Sequence, residues 1–272
     1  MRHTLVLRTP PPLRVDARAL LPAALCTLPR EEVLRLPLVH GRDRVPLGEW
    51  FRLTSVTADD DTPRLRFEGD LSRFDAIGAG LDVGSIDVIG SVGNSAGLGM
   101  SGGELKITGR AGDLAGCAMS GGLLEVGGDV GDFAAGALPG DSDGMKGGTL
   151  LVHGRAGARL ADRMRRGTVV VHGDAGDFVA SRMVAGTLAL GGRCGAYAGW
   201  AMRRGSVVFA GTAPQPPATF VPMPGDASVF WQLLARELAG FGGCFEDLPG
   251  RTLERWAGDL AVQGQGEWLL PR

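Results

Sequence analysis

The chain has 272 residues, enough for one large domain or two small ones with a substantial buried core. A formal net charge of −2 gives no global field for nucleic acid or an anionic membrane, no apolar run approaches the ~18 residues of a membrane span, and the proline-broken opening MRHTLVLRTPPPL predicts no secretory signal. Four scattered cysteines (Cys26, Cys117, Cys194, Cys244) form no CxxC pair, which predicts reduced thiols in a cytoplasmic protein and neither a zinc site nor a disulfide framework.

Residues 1–64 are rich in proline and arginine and are predicted to form an N-terminal cap or docking segment. Within it, REEVLRL is a short helix candidate and the stretch Trp50–Val56 a strand candidate.

Residues 65–212 behave differently. The sequence holds 45 glycines, with no collagen-like triplet, and many of them recur at a fixed step. Segments starting at Gly84, Gly103, Gly122, Gly148, Gly167, Gly186 and Gly205 read GSIDVIG, GELKITG, GLLEVGG, GTLLVHG, GTVVVHG, GTLALGG and GSVVFAG. Each has apolar residues at its third and fifth places, such as Ile86/Val88 and Leu105/Ile107, the alternation of a half-buried strand. Five of the six intervals are 19 residues and one is 26, so an insertion lies near 139–145. A second glycine series (Gly93, Gly112, Gly131, Gly157, Gly176, Gly195) and a methionine series (Met100, Met119, Met145, Met164, Met183, Met202) keep the same step. LRFEGDLSRFDAIGAGLDVG, residues 65–84, reads as a less regular first turn.

A leucine-rich repeat would need regular asparagines, and Asn94 is the only one; a hexapeptide repeat does not fit 19; a helical repeat would place several glycines in each helix at ~1 kcal/mol apiece. One strand and two shorter sides joined at glycine corners fit, because glycine permits positive φ and close backbone approach. The fold class predicted is therefore all-β: a right-handed parallel β-helix of about 19 residues per turn with small α or irregular caps. Stacking would make the strand positions aliphatic ladders, the methionines a corner ladder, and Leu114, Phe133, Phe178 and Tyr197 occupants of one slot. Arg110, Asp129, Arg155, Asp174 and Arg193 alternate in sign and are expected to pair between turns.

Residues 213–272 form the C-terminal segment. After PQPP comes a helix candidate near 226–239, DASVFWQLLAREL, with Asp226 as its cap and Val229, Phe230, Leu233, Leu234 and Leu238 as its apolar face. Both flanks are expected to cover the open strand edges at the ends of the stack.

Several motifs point to chemistry without supporting it. Gly93-Asn94-Ser95-Ala96-Gly97 fits the GxSxG nucleophile elbow, but Ser95 falls in the repeat slot and no helix follows. Gly97 to Gly102 fits GxGxxG, with glycines that belong to the repeat. His153 and His172, one repeat apart, are expected to stack on an outer face, too few for a metal site. Asp141-Ser142-Asp143-Gly144 lacks the later ligands of a calcium loop. No catalytic residue and no metal ligand is assigned. Lys146, Arg163, Arg165, Arg166, Arg182, Arg203 and Arg204 gather around the methionine corner of the later turns, where the first turns carry Gly99, Ser101, Ala118 and Ser120. This is either a solvated edge or a strip for a polyanion or an acidic partner surface.

The units GELKITGRAGDLAGCAMSGG and GTVVVHGDAGDFVASRMVAG resemble the GxGxG repeat family, which includes the C subunit of formylmethanofuran dehydrogenase and the C-terminal domain of the glutamate synthase large subunit. PREEVLRLPLVHGRDRVPLGEWFRL (29–53) and the closing RWAGDLAVQGQGEWLL (255–270) resemble the C subunit in particular. The resemblance implies a non-catalytic scaffold subunit of a one-carbon complex, with catalysis and any metals on partner subunits. Two complexes qualify: a tungsten or molybdenum formylmethanofuran dehydrogenase, and a bacterial formyltransferase/hydrolase that moves formyl groups from tetrahydromethanopterin to a methanofuran analogue and on to formate. Only two of the 28 basic residues are lysines, Lys106 and Lys146, a usage typical of GC-rich genomes that favours the bacterial complex. The resemblance also implies a polyglutamate tail on the methanofuran analogue, for which Lys146, Arg163, Arg165, Arg182 and Arg203 are the candidate holders, with an acidic partner surface as the other candidate ligand. A stand-alone β-helix enzyme acting on carbohydrate, and a glutamate-synthase-like spacer domain, are the competing readings.

Overall fold

The computed structural model describes residues 2–56, 62–225 and 227–272. In chain order the elements are β1 (Arg2–Leu7), β2 (Val15–Asp16), α1 (Pro22–Leu25), α2 (Arg30–Arg35), β3 (Pro37–His40), β4 (Asp43–Pro46), α3 (Leu47–Trp50), β5 (Phe51–Val56), β6 (Arg64–Glu68) and β7 (Phe74–Asp75). They continue with β8 (Ser85–Ile89), β9 (Ser101–Ile107), β10 (Ser120–Val126), β11 (Lys146–Val152), β12 (Arg166–Val171), β13 (Thr187–Leu190) and β14 (Ser206–Phe209). β15 (Val221–Pro222), α4 (Ser228–Ala239), β16 (Leu253–Gly258) and β17 (Gly266–Pro271) complete the chain. The protein is all-β in class. One 13-stranded sheet dominates it, and no helix of the described residues is long and apolar enough to cross a membrane.

From β6 to β14 every neighbour in this sheet is parallel and follows in chain order, apart from the two-residue β7. The register carries the sequence period directly: Val88 pairs with Ile107 and Ile107 with Val126, while Leu150, Val169, Leu188 and Val207 continue the other apolar line. All these side chains are buried, each contributing about 1.5–3 kcal/mol. A second line of single-residue parallel bridges, Ala111–Val130–Ala156–Ala175–Cys194, runs at the same step. The six methionines are fully buried in the same core. Glycine serves the two purposes expected of it. Gly122 has φ +80°, and at Gly112, whose φ is not left-handed, a Cβ would sit 2.2 Å from Asn94 Oδ1 and 3.0 Å from the Gly93 carbonyl.

The flanks extend this sheet at both ends. β1 adds parallel to β6 and is covered antiparallel by β5. At the other end β17 adds parallel to β14, with Trp268 opposite Val207, and β16 and β15 follow antiparallel. A small sheet of β4-β3-β2-β7 flanks the first repeats.

Two expectations need correction. The apolar face that α4 buries is Trp231, Leu234, Ala235 and Leu238, packed on Leu151, Val170, Ala189 and Val208, while Val229 and Leu233 are 73% and 66% exposed. The outer strand positions, which turn apolar only in the last repeats, select the helix face, and the expected face was rotated from it. The helix carries no side-chain cap at Ala227, and Asp226, the expected cap, lies outside the described residues. The alternating charges form one ion pair, Arg110–Asp129 at 3.6 Å, but Asp129 and Asp174 instead accept the main-chain N–H groups of Arg155 (2.9 Å) and Arg193 (2.7 Å). A short aspartate reaches the adjacent backbone and leaves the long arginine head in solvent.

Candidate functional site

Between the second glycine and the methionine of each repeat the backbone turns left-handed at alternate residues. Arg159, Ala161 and Arg163 do so at φ 58°, 58° and 55°, and Phe178, Ala180 and Arg182 one repeat later at 60°, 55° and 55°. Each non-glycine residue there costs about 1–2 kcal/mol, which the buried Leu160, Met164, Val179 and Met183 between them can offset. Small residues adopt the same conformation in other repeats, at Ala118 and Ala201, so the strain belongs to the repeat and is not a mark of function.

This geometry pushes Arg163 and Arg182 outward, one above the other. Together with Arg165, Val184 and Arg203, one repeat apart in their own line, they line a cleft of about 610 Å³. Ser142 and Asp143 of the insertion wall one end, and Val262 of the C-terminal segment lines it as well. Four of the five predicted basic residues are thus brought together. Lys146 is not; it is exposed at the start of β11, in register with Arg166 on β12.

The four arginines are not equally free. Asp162, 2% exposed, takes the Arg182 guanidinium through both oxygens (2.7–3.0 Å) and the Ser181 hydroxyl besides. Arg163 donates to the Asp141 carbonyl and lies 3.9 Å from Asp162. Arg165 pairs with Asp143 at 3.0 Å. Among the described residues the Arg203 side chain has no such partner. Four guanidiniums against Asp143 and Asp162 leave two net positive charges facing the cleft. Asp162 was not singled out in the sequence; the signal for it is an acidic residue one place before an outward arginine.

The remaining motifs gain no chemistry. Ser95 has φ 60° and lines a pocket of about 350 Å³ with Arg14, Asp16, Arg18 and Asp75, but no histidine lines it and Arg14 is tied to Asp75. GxGxxG runs into β9, not into a helix. His153 and His172 stack at 5.1 Å; Glu125 holds the first at 3.0 Å, and Phe245 packs edge-on against the second. Among the described residues no group of three or more His, Cys, Asp or Glu is arranged to hold a metal. Burial pushes the Cys117 and Cys194 thiols up to about 12 and about 11, far from a reactive thiolate.

One ladder escaped sequence reasoning. The residue after the second glycine, and Asp75 at the equivalent place of the first turn, accepts the main-chain N–H one repeat onward: Asp75 from Asn94 (2.7 Å), Asn94 from Asp113 (3.0 Å), Asp113 from Asp132 (2.9 Å), Asp132 from Ala158 (2.7 Å) and Asp177 from Ala196 (2.8 Å). The GD and GN pairs at the repeat step were the available signal.

No protein-family model matches the chain. It is 41% identical over 90 residues to the C subunit of the formyltransferase/hydrolase complex Fhc of Methylorubrum extorquens, and 32% identical over 79 residues to the C subunit of molybdenum-containing formylmethanofuran dehydrogenase 1 of Methanothermobacter marburgensis. Those stretches cover 33% and 29% of this chain, and span 32% and 19% of the two relatives' own lengths. The fold is similar, with a TM-score of 0.90 and 40% identity over 99% of both chains, to a chain in the crystal structure of the formyltransferase/hydrolase complex FhcABCD of Methylorubrum extorquens with methylofuran.

Proposed function

This chain belongs to the family of C subunits found in formyltransferase/hydrolase complexes and formylmethanofuran dehydrogenases, and we propose that it is the non-catalytic structural subunit of the first kind of complex. In that complex it works with the other subunits in passing formyl groups between tetrahydromethanopterin, a methanofuran analogue and formate. The observation that carries this is the likeness over nearly the whole chain to a component of FhcABCD. The greater identity to the bacterial relative than to the archaeal one supports it over a dehydrogenase role.

The scaffold is a right-handed parallel β-helix (65–212) between an N-terminal cap (1–64) and a C-terminal segment (213–272). Two parallel lines of pairing at one 19-residue step and an interior filled by aliphatic and methionine side chains support this reading. A core filled in this way holds no interior substrate cavity, which supports placing catalysis and any metals on partner subunits. The cleft of Arg163, Arg165, Arg182 and Arg203, without Lys146, holds the polyglutamate tail of the methanofuran analogue or an acidic partner surface, because guanidinium forks bind carboxylates in pairs.

Affinity purification from the native host is the test of membership: transferase and hydrolase subunits co-purify, and recovery of this chain alone would refute it. Arg165→Glu with Arg203→Glu tests the cleft without breaking the buried Asp162 pair. Cofactor content or subunit stoichiometry falls if the cleft is used, and stays unchanged if it is not.

A further inference from the structure

The residue two places after the second glycine is left-handed in six successive repeats, Ser95, Leu114, Phe133, Arg159, Phe178 and Tyr197, with φ between 58° and 64°. An identical backbone stacks these side chains into a column on the outside of the protein. The Arg159 guanidinium sits 5.6 Å from the Phe133 ring and 4.7 Å from the Phe178 ring. Phe178 in turn stacks on Tyr197, with centroids 4.8 Å apart and planes 19° apart, and Trp200 stands edge-on to Phe178 at 6.3 Å. There the column stops. Tyr197 is 64% exposed and Trp200 49%, so the ring face turned away from Phe178 is open.

The column itself indicates what suits the next position. It already accommodates a guanidinium beside ring faces, where the ring quadrupole attracts a cation and a planar one stacks without losing its N–H donors. A carboxylate belongs to the preceding repeat: exposed Asp177 uses Oδ1 for the amide of Ala196, the residue before Tyr197. Tyrosine and tryptophan are also among the residues enriched in binding hot spots, as is the arginine such a pair would take up.

We infer that the Tyr197–Trp200 corner is the seat of an arginine side chain supplied by a partner subunit. This rests on the membership of a complex proposed above, but it concerns a different surface from the basic cleft and calls for a partner of opposite charge.

Tyr197 is the only tyrosine, so 3-fluorotyrosine labelling gives the full chain a single fluorine resonance. The labelled chain is mixed with its unlabelled partner subunits, and assembly is followed by size exclusion and the resonance by NMR. The expected result is a shifted resonance on assembly, about tenfold weaker association for Tyr197→Leu, and no more than about twofold for Tyr197→Phe, which keeps the ring face. Blocking the partners' arginines with phenylglyoxal should weaken the wild type and add nothing to Tyr197→Leu. Assembly with an unmoved resonance, wild-type association of Tyr197→Leu, or indifference to phenylglyoxal each overturns the seat and leaves the membership standing. Failure of the wild-type chain to assemble removes both.

Discussion

Gly122 and Gly99 both have left-handed backbones, φ +80° and +65°, but their surroundings differ. A Cβ on Gly99 meets no atom within 4 Å, whereas one on Gly122 would lie 2.4 Å from the Gly102 carbonyl oxygen and 2.8 Å from the oxygen of Gly103. Alanine at either position carries the left-handed cost of about 1–2 kcal/mol, offset by about 0.4–1 kcal/mol from a stiffer unfolded chain. Gly99→Ala should therefore cost about 0–1.6 kcal/mol. The atoms opposing Gly122 are backbone of the neighbouring repeat and cannot rotate away, so Gly122→Ala adds overpacking of about 1–3 kcal/mol. At about 2–4 °C per kcal/mol for a chain of this size, the two variants should melt roughly 2–12 °C apart. Circular dichroism gives the melting temperatures. Amide exchange at residues 101–107 and 120–126 locates the damage, which matters because stacked repeats need not unfold in one step. If the two variants melt together and exchange alike, close backbone packing is not what demands glycine at this step.

Other substitutions probe separate parts of the structure. Met119→Ala should cost about 2–5 kcal/mol by urea unfolding and Met119→Leu less than about 1.5, since the fully buried methionine line fills space and its sulfur is not required. Asp162→Asn should lower stability, because it weakens the acceptor of the Arg182 fork and the Ser181 hydroxyl, yet raise affinity for a poly-γ-glutamate probe by freeing positive charge; a loss of both affinity and stability would contradict the charge balance assigned to the cleft. His172 is held below its ordinary value of 6.5, by burial first and by His153 second, and His3 is held below it chiefly by burial. For both, the unfolded chain takes up a proton that the folded chain resists, so stability should be full above 6.5 and fall as pH drops below it. A melting temperature that is flat from about pH 7.5 to about pH 5.5, or a fall that His172→Gln leaves untouched, would rule out that contribution.

The strand period and the buried methionine line were legible because each depends on residue type alone, apolar inside and glycine where a Cβ cannot fit, and the outer slot of Leu114, Phe133, Phe178 and Tyr197 was legible from the repeat step. The left-handed run from Arg159 to Arg163 was not legible. Nothing in Arg-Leu-Ala-Asp-Arg favours that backbone, which arises only once the adjacent repeats fix the hydrogen bonds Arg159 N–H to Asp177 O (2.7 Å) and Arg163 N–H to Ser181 O (2.9 Å). The cleft was half legible. The repeat step gathered its arginines and set Asp162 one repeat before Arg182, but the engagement of Arg163 and Arg165 with Asp141 and Asp143 depends on how the insertion folds back, which no periodicity encodes. The last strand, β17, was hidden as well. It joins the sheet 57 residues after its neighbour β14 ends, as Phe209 and Gly266 mark the two bounds, and only Trp268, Leu269 and Leu270 hint at a strand.

The outer face of the main sheet shows how one repeat serves two surroundings. At the middle of the strand Asp87, Lys106 and Glu125 face solvent, and Lys106 bridges Glu104 at 2.9 Å and Glu125 at 3.9 Å. From β11 onward the same position holds Leu151, Val170, Ala189 and Val208, buried beneath α4. The inward residues stay apolar throughout, so the change of surroundings is written entirely in the outward ones. His153 and His172 sit two residues beyond Leu151 and Val170, at the margin of the helix-covered region, and Phe245 closes against the second. A stack of this kind can therefore acquire a new contact without disturbing its core, by changing one outward residue per repeat. The Arg163–Arg182 line, the Phe133–Tyr197 column and the α4 platform are three outcomes of that freedom on one chain, and each differs in chemistry because the inside does not constrain it.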